Sequence, residues 1–163
     1  MSWAYRQDEE WNRFVAGNAK GEGVLVFGRV TYEQMASYWP TPIAREHAPV
    51  VAKRMNELPK VVFSRKMEQA AWQNTTLLRG DLAQEVHKLK AQDGADLVIL
   101  GSASLVWQLT EAGLIDGYQI AVNPVVLGGG KSMFAHLPKR VNLKLLNSRT
   151  FQNGTVFMTY QPA

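Results

Sequence analysis

Val24-Leu25-Val26-Phe27-Gly28-Arg29-Val30-Thr31-Tyr32-Glu33 is the stretch on which the fold turns. Four apolar residues sit between Gly23 and Gly28, which reads as a short buried strand bounded by glycines. Thr31 with Gln34 three residues on has the form of a capping box, so a helix is predicted from Thr31 to just before Pro40. A strand running through a glycine into a helix is the βα unit of an α/β protein.

The same alternation extends both ways. Upstream, Trp11, Phe14, Val15 and Ala19 recur at helical spacing from Asp8 to about Ala19. Downstream, one helix is predicted over Ala44 to Leu58, then a strand over Lys60 to Ser64 and a short edge strand over Thr75 to Leu78. Asp81 caps a helix running to about Gln92, and a strand follows at Asp96 to Leu100. A turn and helix over Gly101 to Ala112 close at Gly113, ahead of a strand over Gly117 to Val126. Val141 to Phe151 and Thr155 to Tyr160 pair as a hairpin about Gln152-Asn153-Gly154. Strands and helices in this order imply a mixed, mostly parallel sheet with right-handed crossovers and an antiparallel C-terminal hairpin, covered by helices on both faces.

Composition bounds the function classes. The 163 residues, 46% hydrophobic and 20% charged, suit one soluble domain with no internal repeat or linker. No apolar run reaches the length of a membrane span, and the first ten residues lack a secretory pattern. With no cysteine there is no disulfide, thiolate metal site or Cys nucleophile, which fits a reducing cytoplasm. Residues 117 to 163 carry five Lys/Arg and no acid, while residues 1 to 116 nearly balance. That excess suits a phosphate-bearing ligand or simply a solvated basic face. The cations are scattered singly, against nucleic-acid binding.

In open α/β sheets ligands bind beyond the carboxyl ends of the strands, and four motifs stand there. Gly28-Arg29-Val30-Thr31 combines close backbone approach, a bidentate cation and a helix start; it is equally a plain strand-to-helix turn. Ser64-Arg65-Lys66 offers a hydroxyl and two cations, suited to a 2'-phosphate or to solvent. Gly101-Ser102-Ala103-Ser104 presents small residues at a helix start, as anion site or ordinary cap. Val126-Leu-Gly-Gly-Gly-Lys-Ser132 fails as a phosphate-binding P-loop because Val125 stands where a glycine is required; it reads as a flexible glycine loop at the mouth of the site.

Taken in order, these motifs resemble the dihydrofolate-reductase-like superfamily, and the stretch from Gly113 to Phe134 is similar to the reductase domain of riboflavin biosynthesis. The resemblance spans Trp3 to Tyr160. It implies a three-layer α/β/α fold and NADPH as cofactor, contacted by Gly28, Arg29 and Thr31, by Ser64 and Arg65, by Gly101, Ser102, Ala103 and Ser104, and by Gly128 and Gly129. Ser102 departs from the Gly-Gly pair usual in the folate enzymes. Asp8, five residues after Trp3, matches the family's acidic substrate anchor, although Asp8, Glu9 and Glu10 also suit the first turn of a helix. Relatives begin with a strand and a Leu-Asp-Gly-like loop that this sequence does not show, so the first strand of the family is expected to be missing.

The function so implied is a cytoplasmic, homodimeric, NADPH-dependent reductase of a small heterocyclic substrate, a riboflavin-pathway pyrimidine or a pterin. The alternative is a catalytically weak NADP-binding or structural dimer of the same fold. Neither membrane nor nucleic acid is an expected partner.

Overall fold

A computed structural model describes residues 8–19 and 21–163. The capping Asp8 opens α1 (Glu9–Asn18), its carboxylate accepting the Trp11 N–H at 2.7 Å. β1 (Val24–Gly28) leads into α2 (Arg29–Tyr38), followed by α3 (Pro42–His47) and α4 (Pro49–Glu57). β2 (Lys60–Phe63), β3 (Thr75–Leu78), α5 (Leu82–Lys90), β4 (Leu97–Ile99) and α6 (Ala103–Glu111) complete the α/β part. β5 (Tyr118–Val122), β6 (Leu143–Thr150) and β7 (Val156–Pro162) form the remainder.

Four strands make an all-parallel sheet in the order β3-β2-β1-β4, and three make an antiparallel sheet in the order β5-β7-β6. The parallel and antiparallel parts expected in one mixed sheet are therefore two ladders, with no pairing between β4 and β5. β1 carries the parallel sheet's two cores on its opposite faces, as the alternation of strand side chains requires. Leu25 and Phe27 pack with Tyr32, Met55, Val62 and Trp72 under α2 and α4. Val26 packs on the other side with Val86, Leu105 and Leu109 under α5 and α6. The helices on both faces give the expected three layers.

Local chemistry explains where the elements differ from expectation. α2 begins at Arg29, two residues before the predicted Thr31, because Gly28 itself is the N-cap in extended conformation. The predicted helix from Ala44 to Leu58 is two helices. Pro49 disfavours the helical region for the residue before it, and Ala48 sits at φ −147°, ψ 67°. Thr41 caps the first of them by accepting the Ala44 N–H at 3.2 Å. β5 stops at Val122, short of the predicted Val126, with Pro124 unable to donate to a ladder. Gly113, at φ 67°, ends α6 in a Schellman motif in which Leu114 N–H reaches Leu109 O at 2.9 Å and Gly113 N–H reaches Thr110 O at 3.1 Å.

The antiparallel sheet is tied to the rest by α1 and α6. Phe14 of α1 packs on Phe151 and Phe157 with ring centroids 5.0 and 4.8 Å apart. Buried Thr110 and Tyr118 share a hydroxyl hydrogen bond of 2.9 Å between α6 and β5. The hairpin turns through Phe151 to Gly154, where Gly154 N–H donates to Phe151 O and the glycine adopts φ 80°.

Candidate active site

Strand register sets three of the four motifs side by side. Gly28 pairs with Phe63 across the parallel β1/β2 ladder, so the Ser64-Arg65 turn begins where β1 ends. On the other side Val26 pairs with Ile99, which brings the turn at Gly101 beside Gly28. Neighbouring strands are about 5 Å apart, so one extended ligand can touch all three ends.

Each turn has its own construction. A Cβ built on Gly28 would lie 3.7 Å from Leu105, from Ser102 Oγ and from Ser104 Oγ, and one on Gly101 would lie 3.7 Å from Thr31. Gly28, Thr31, Gly101, Ser102 and Ser104 therefore form one cluster. Ala103 is the first residue of α6 in the same turn. Neither α2 nor α6 is capped by a side chain at its start, whereas Asp8, Thr41 and Asp81 cap α1, α3 and α5. Two uncapped helix N-termini converge at adjacent strand ends, leaving N–H groups and the positive ends of both helix dipoles toward the same edge.

The side chains divide into those turned to structure and those turned outward. Arg29 holds both carboxylate oxygens of Glu33 through Nη1, at 3.0 and 2.9 Å, and is half-exposed. Ser64 Oγ accepts the N–H groups of Lys66 and Met67, which shapes the turn, and leaves Arg65 exposed. Tyr32, next to the motif, is a core residue whose hydroxyl accepts the Trp72 N–H at 2.8 Å. Gly128 and Gly129 lie in the loop after β5, where an added Cβ would meet nothing within 4 Å.

Asp8 occupies a different place. With Glu10, Arg13, Phe14, Arg149 and Gln152 it lines an open cleft of about 820 Å³ between α1 and the β6–β7 hairpin. Glu10 is the anchor there, bonded to Arg149 Nη2 at 2.7 Å and to the Gln152 N–H at 3.1 Å. The Arg149 hydrogen bond, then the Gln152 amide, hold the Glu10 carboxyl below its usual range. Arg149 also lies 4.6 Å from the Phe151 ring. The sequence shows Glu10 only as a first-turn charge and gives no sign of its pairing with Arg149, because nothing local joins residues so distant in the chain. Trp3, the partner of Asp8 in the family spacing, lies outside the described residues. No group of three metal-ligating side chains and no helix long and apolar enough to cross a membrane occurs among the described residues.

The four-stranded parallel sheet with helices on both faces and the antiparallel β5-β7-β6 unit have the fold of the dihydrofolate-reductase-like α/β proteins. Within that class the chain belongs to the RibD C-terminal domain family, whose model matches residues 2–157. It is similar to YyaP of Bacillus subtilis (strain 168), an uncharacterized protein, with 32% identity over 136 residues, 83% of this chain and 72% of the relative. Its fold is similar to a putative riboflavin biosynthesis protein from Shewanella sp. PV-4, with TM-score 0.75, 22% identity, and coverage of 100% of this chain and 88% of that one. It is also similar to the dihydrofolate reductase of Enterococcus faecalis complexed with NADP(H) and RAB-propyl, with TM-score 0.61, 16% identity, and coverage of 93% and 81%.

Proposed function

We propose that the chain is a reductase that binds NADPH along the β2–β1–β4 edge and reduces a small heterocyclic substrate. The observation that carries this reading is the convergence of the uncapped N-termini of α2 and α6 at Gly28 and Ser102. Backbone N–H groups there suit the linked phosphates of a dinucleotide, and the glycine leaves room for close approach. Arg65, exposed one strand over, is the proposed contact for a 2'-phosphate, and Arg29 can give up Glu33 for a phosphate oxygen, since an exposed i,i+4 pair is weak. Gly128 and Gly129, in the open loop after β5, are the remaining proposed contacts. When bound, NADPH supplies the hydride, and the protein's task is to position it and the substrate.

The structure of the Enterococcus relative with NADP(H), on the same fold, supports the choice of cofactor, and the likeness to a putative riboflavin biosynthesis protein of Shewanella supports a riboflavin-pathway substrate over a pterin. Asp8 is the proposed substrate anchor, its second carboxylate oxygen being available for an N–H edge. Its engagement as the α1 cap, in a cleft lined by none of the phosphate-motif residues, favours a second reading in which the protein binds NADP without rapid turnover.

Titration of the tryptophan fluorescence with NADPH and NADH tests the cofactor. Quenching by NADPH in the micromolar range with weaker response to NADH is expected, and Arg65→Ala narrows that preference; no response to either at millimolar concentration refutes the site. Turnover with the ribosylamino-pyrimidine of riboflavin synthesis, compared with dihydrofolate, then separates enzyme from binder. Size-exclusion chromatography with light scattering checks the proposed homodimer, and fractionation of cells its cytoplasmic location.

A further inference from the structure

The two sides of the antiparallel sheet differ in character, and the strand register assigns each residue to its side. Arg149 and Phe157 pair across β6 and β7, and both meet the Phe14 ring of α1, with the two phenylalanine centroids 4.8 Å apart. Side chains alternate along a strand, so Thr159 and Gln161 share that side with their partners Gln119, Asn147 and Lys144. The opposite side is apolar: Ile120 and Val122 of β5, Val156 and Met158 of β7, Leu143 and Leu145 of β6. Tyr118 and Tyr160 belong to it as well. α6 and Phe134 meet Tyr118, while Val122 and Leu145 stay 49% and 50% exposed. Ser148 and Thr150, at the hairpin end of β6, complete this side, and no charged residue of the three strands stands on it.

A bulge in β6 produces that absence of charge. Asn147 pairs with Thr159 and Leu145 with Tyr160, so Leu146 is an extra residue against β7. Strict alternation from Ser148 would bring Leu146 and then Lys144 to the apolar side. The extra residue brings Leu145 and Leu143 there instead and turns Lys144 toward the α1 side.

We propose that the apolar side of this sheet is the contact between two copies of the chain, packed face to face about a twofold axis. This rests on the homodimer proposed above and names its surface. An acidic partner or an anionic membrane is met by cations, and residues 117 to 163 carry five Lys/Arg with no acid, yet the bulge withdraws Lys144 from the face. Two uncharged faces meet without like-charge repulsion. The same bulge, with Lys144 beside it, blunts the open edge of β6 against strand pairing. Three strands about 5 Å apart, the central one seven residues long, present roughly 350 Å². The exposed Leu146, and the exposed Val125, Val126 and Leu127 that follow β5, extend the apolar surface toward the about 800 Å² per partner of a standard interface.

Size exclusion with light scattering, followed by sedimentation equilibrium, tests this face. The wild type is expected as a dimer that survives molar salt, because no charge holds it together; dissociation in salt overturns the proposal. Leu145→Lys and Val122→Lys, at half-exposed positions that leave the fold intact, should each raise the dimer dissociation constant about a hundredfold or more, since the twofold axis buries every new charge twice. Gln119→Lys, on the α1 side, should leave it unchanged, and circular dichroism melts check that each variant folds. A dimer that persists in both face variants, or weakens equally in Gln119→Lys, overturns the assignment of the face and leaves the homodimer standing. A wild type that stays monomeric at high micromolar concentration overturns both, and its sedimentation with anionic vesicles would give the face to a membrane.

Discussion

Arg149 on β6 and Glu10 on α1, 139 residues apart in the chain, meet at 2.7 Å, and the same carboxylate takes the backbone N–H of Gln152 at the hairpin turn. α1 has no buried residue of its own. Its place is set by this polar contact and by Phe14 and Trp11 against Phe151.

Acid should loosen that contact first. The Glu10 carboxyl titrates below its ordinary value of 4.5 in the folded protein, because Arg149 and the Gln152 amide favour the ionised form. Its contribution to stability is then fully present above the unfolded value and lost as pH falls through the lower folded one. Thermal melts from pH 6 to pH 3 should show a fall below about pH 4.5 that Glu10→Gln reduces. Equal slopes in both proteins would remove Glu10 from the account.

Lys60 titrates in the other direction. Its ammonium is buried, 1% exposed, and donates to the carbonyls of Asn56, Leu58 and Gln73 at 3.0, 2.7 and 3.2 Å, with the Trp72 ring 4.5 Å away. Burial lowers it from 10.5 to about 8. Between those values the unfolded chain holds more protons, so stability rises with pH across that window. Between pH 7.5 and pH 10 that part of the shift amounts to about 2 kcal/mol. Urea unfolding at pH 7.5 and pH 10 measures it, and Lys60→Met should flatten the difference.

Asn56 is the junction beside that lysine. Its Nδ2 donates to the carbonyls of Trp39 and Ala52 at 2.9 and 2.7 Å, and its Oδ1 accepts Trp72 Nε1–H at 2.8 Å. Asn56→Ala leaves an indole N–H and a carbonyl without partners, and should cost about 3 kcal/mol in urea unfolding. Trp72 emission reports the same change locally.

Glycine replacement distinguishes fold from site. Gly113→Ala and Gly101→Ala both place a Cβ at positive φ, 67° and 70°, with no atom closer than 3.7 Å. Each should cost about 1 kcal/mol of stability. Only Gly101→Ala should also weaken NADPH binding, read by fluorescence titration.

Much of this architecture was legible in the chain. Glycine-bounded apolar runs marked β1 and β2, and Asp81 and Gly113 marked helix ends, because those signals act within a few residues. The order of strand-end motifs was legible for the same reason, and the β1/β2 and β1/β4 registers bring Gly28, Ser64 and Gly101 together as expected. What escaped depends on distant partners. Thr31 resembled a cap, but Gly28 is the helix start, and its N–H goes to Ser102 on the neighbouring turn. Nothing near Glu10 foretold Arg149, and nothing near Lys60 foretold three converging carbonyls. The break at Ala48 was available in Pro49, whose local veto the hydrophobic pattern around it concealed.

β1 supplies fully buried side chains to both cores, Leu25 and Phe27 to one and Val26 to the other, and it ends in Gly28. A ligand seated on Gly28 would therefore bear on both layers at once. Occupancy at that single residue should raise the melting temperature of the whole parallel unit in one cooperative step, with the size of the shift following ligand concentration.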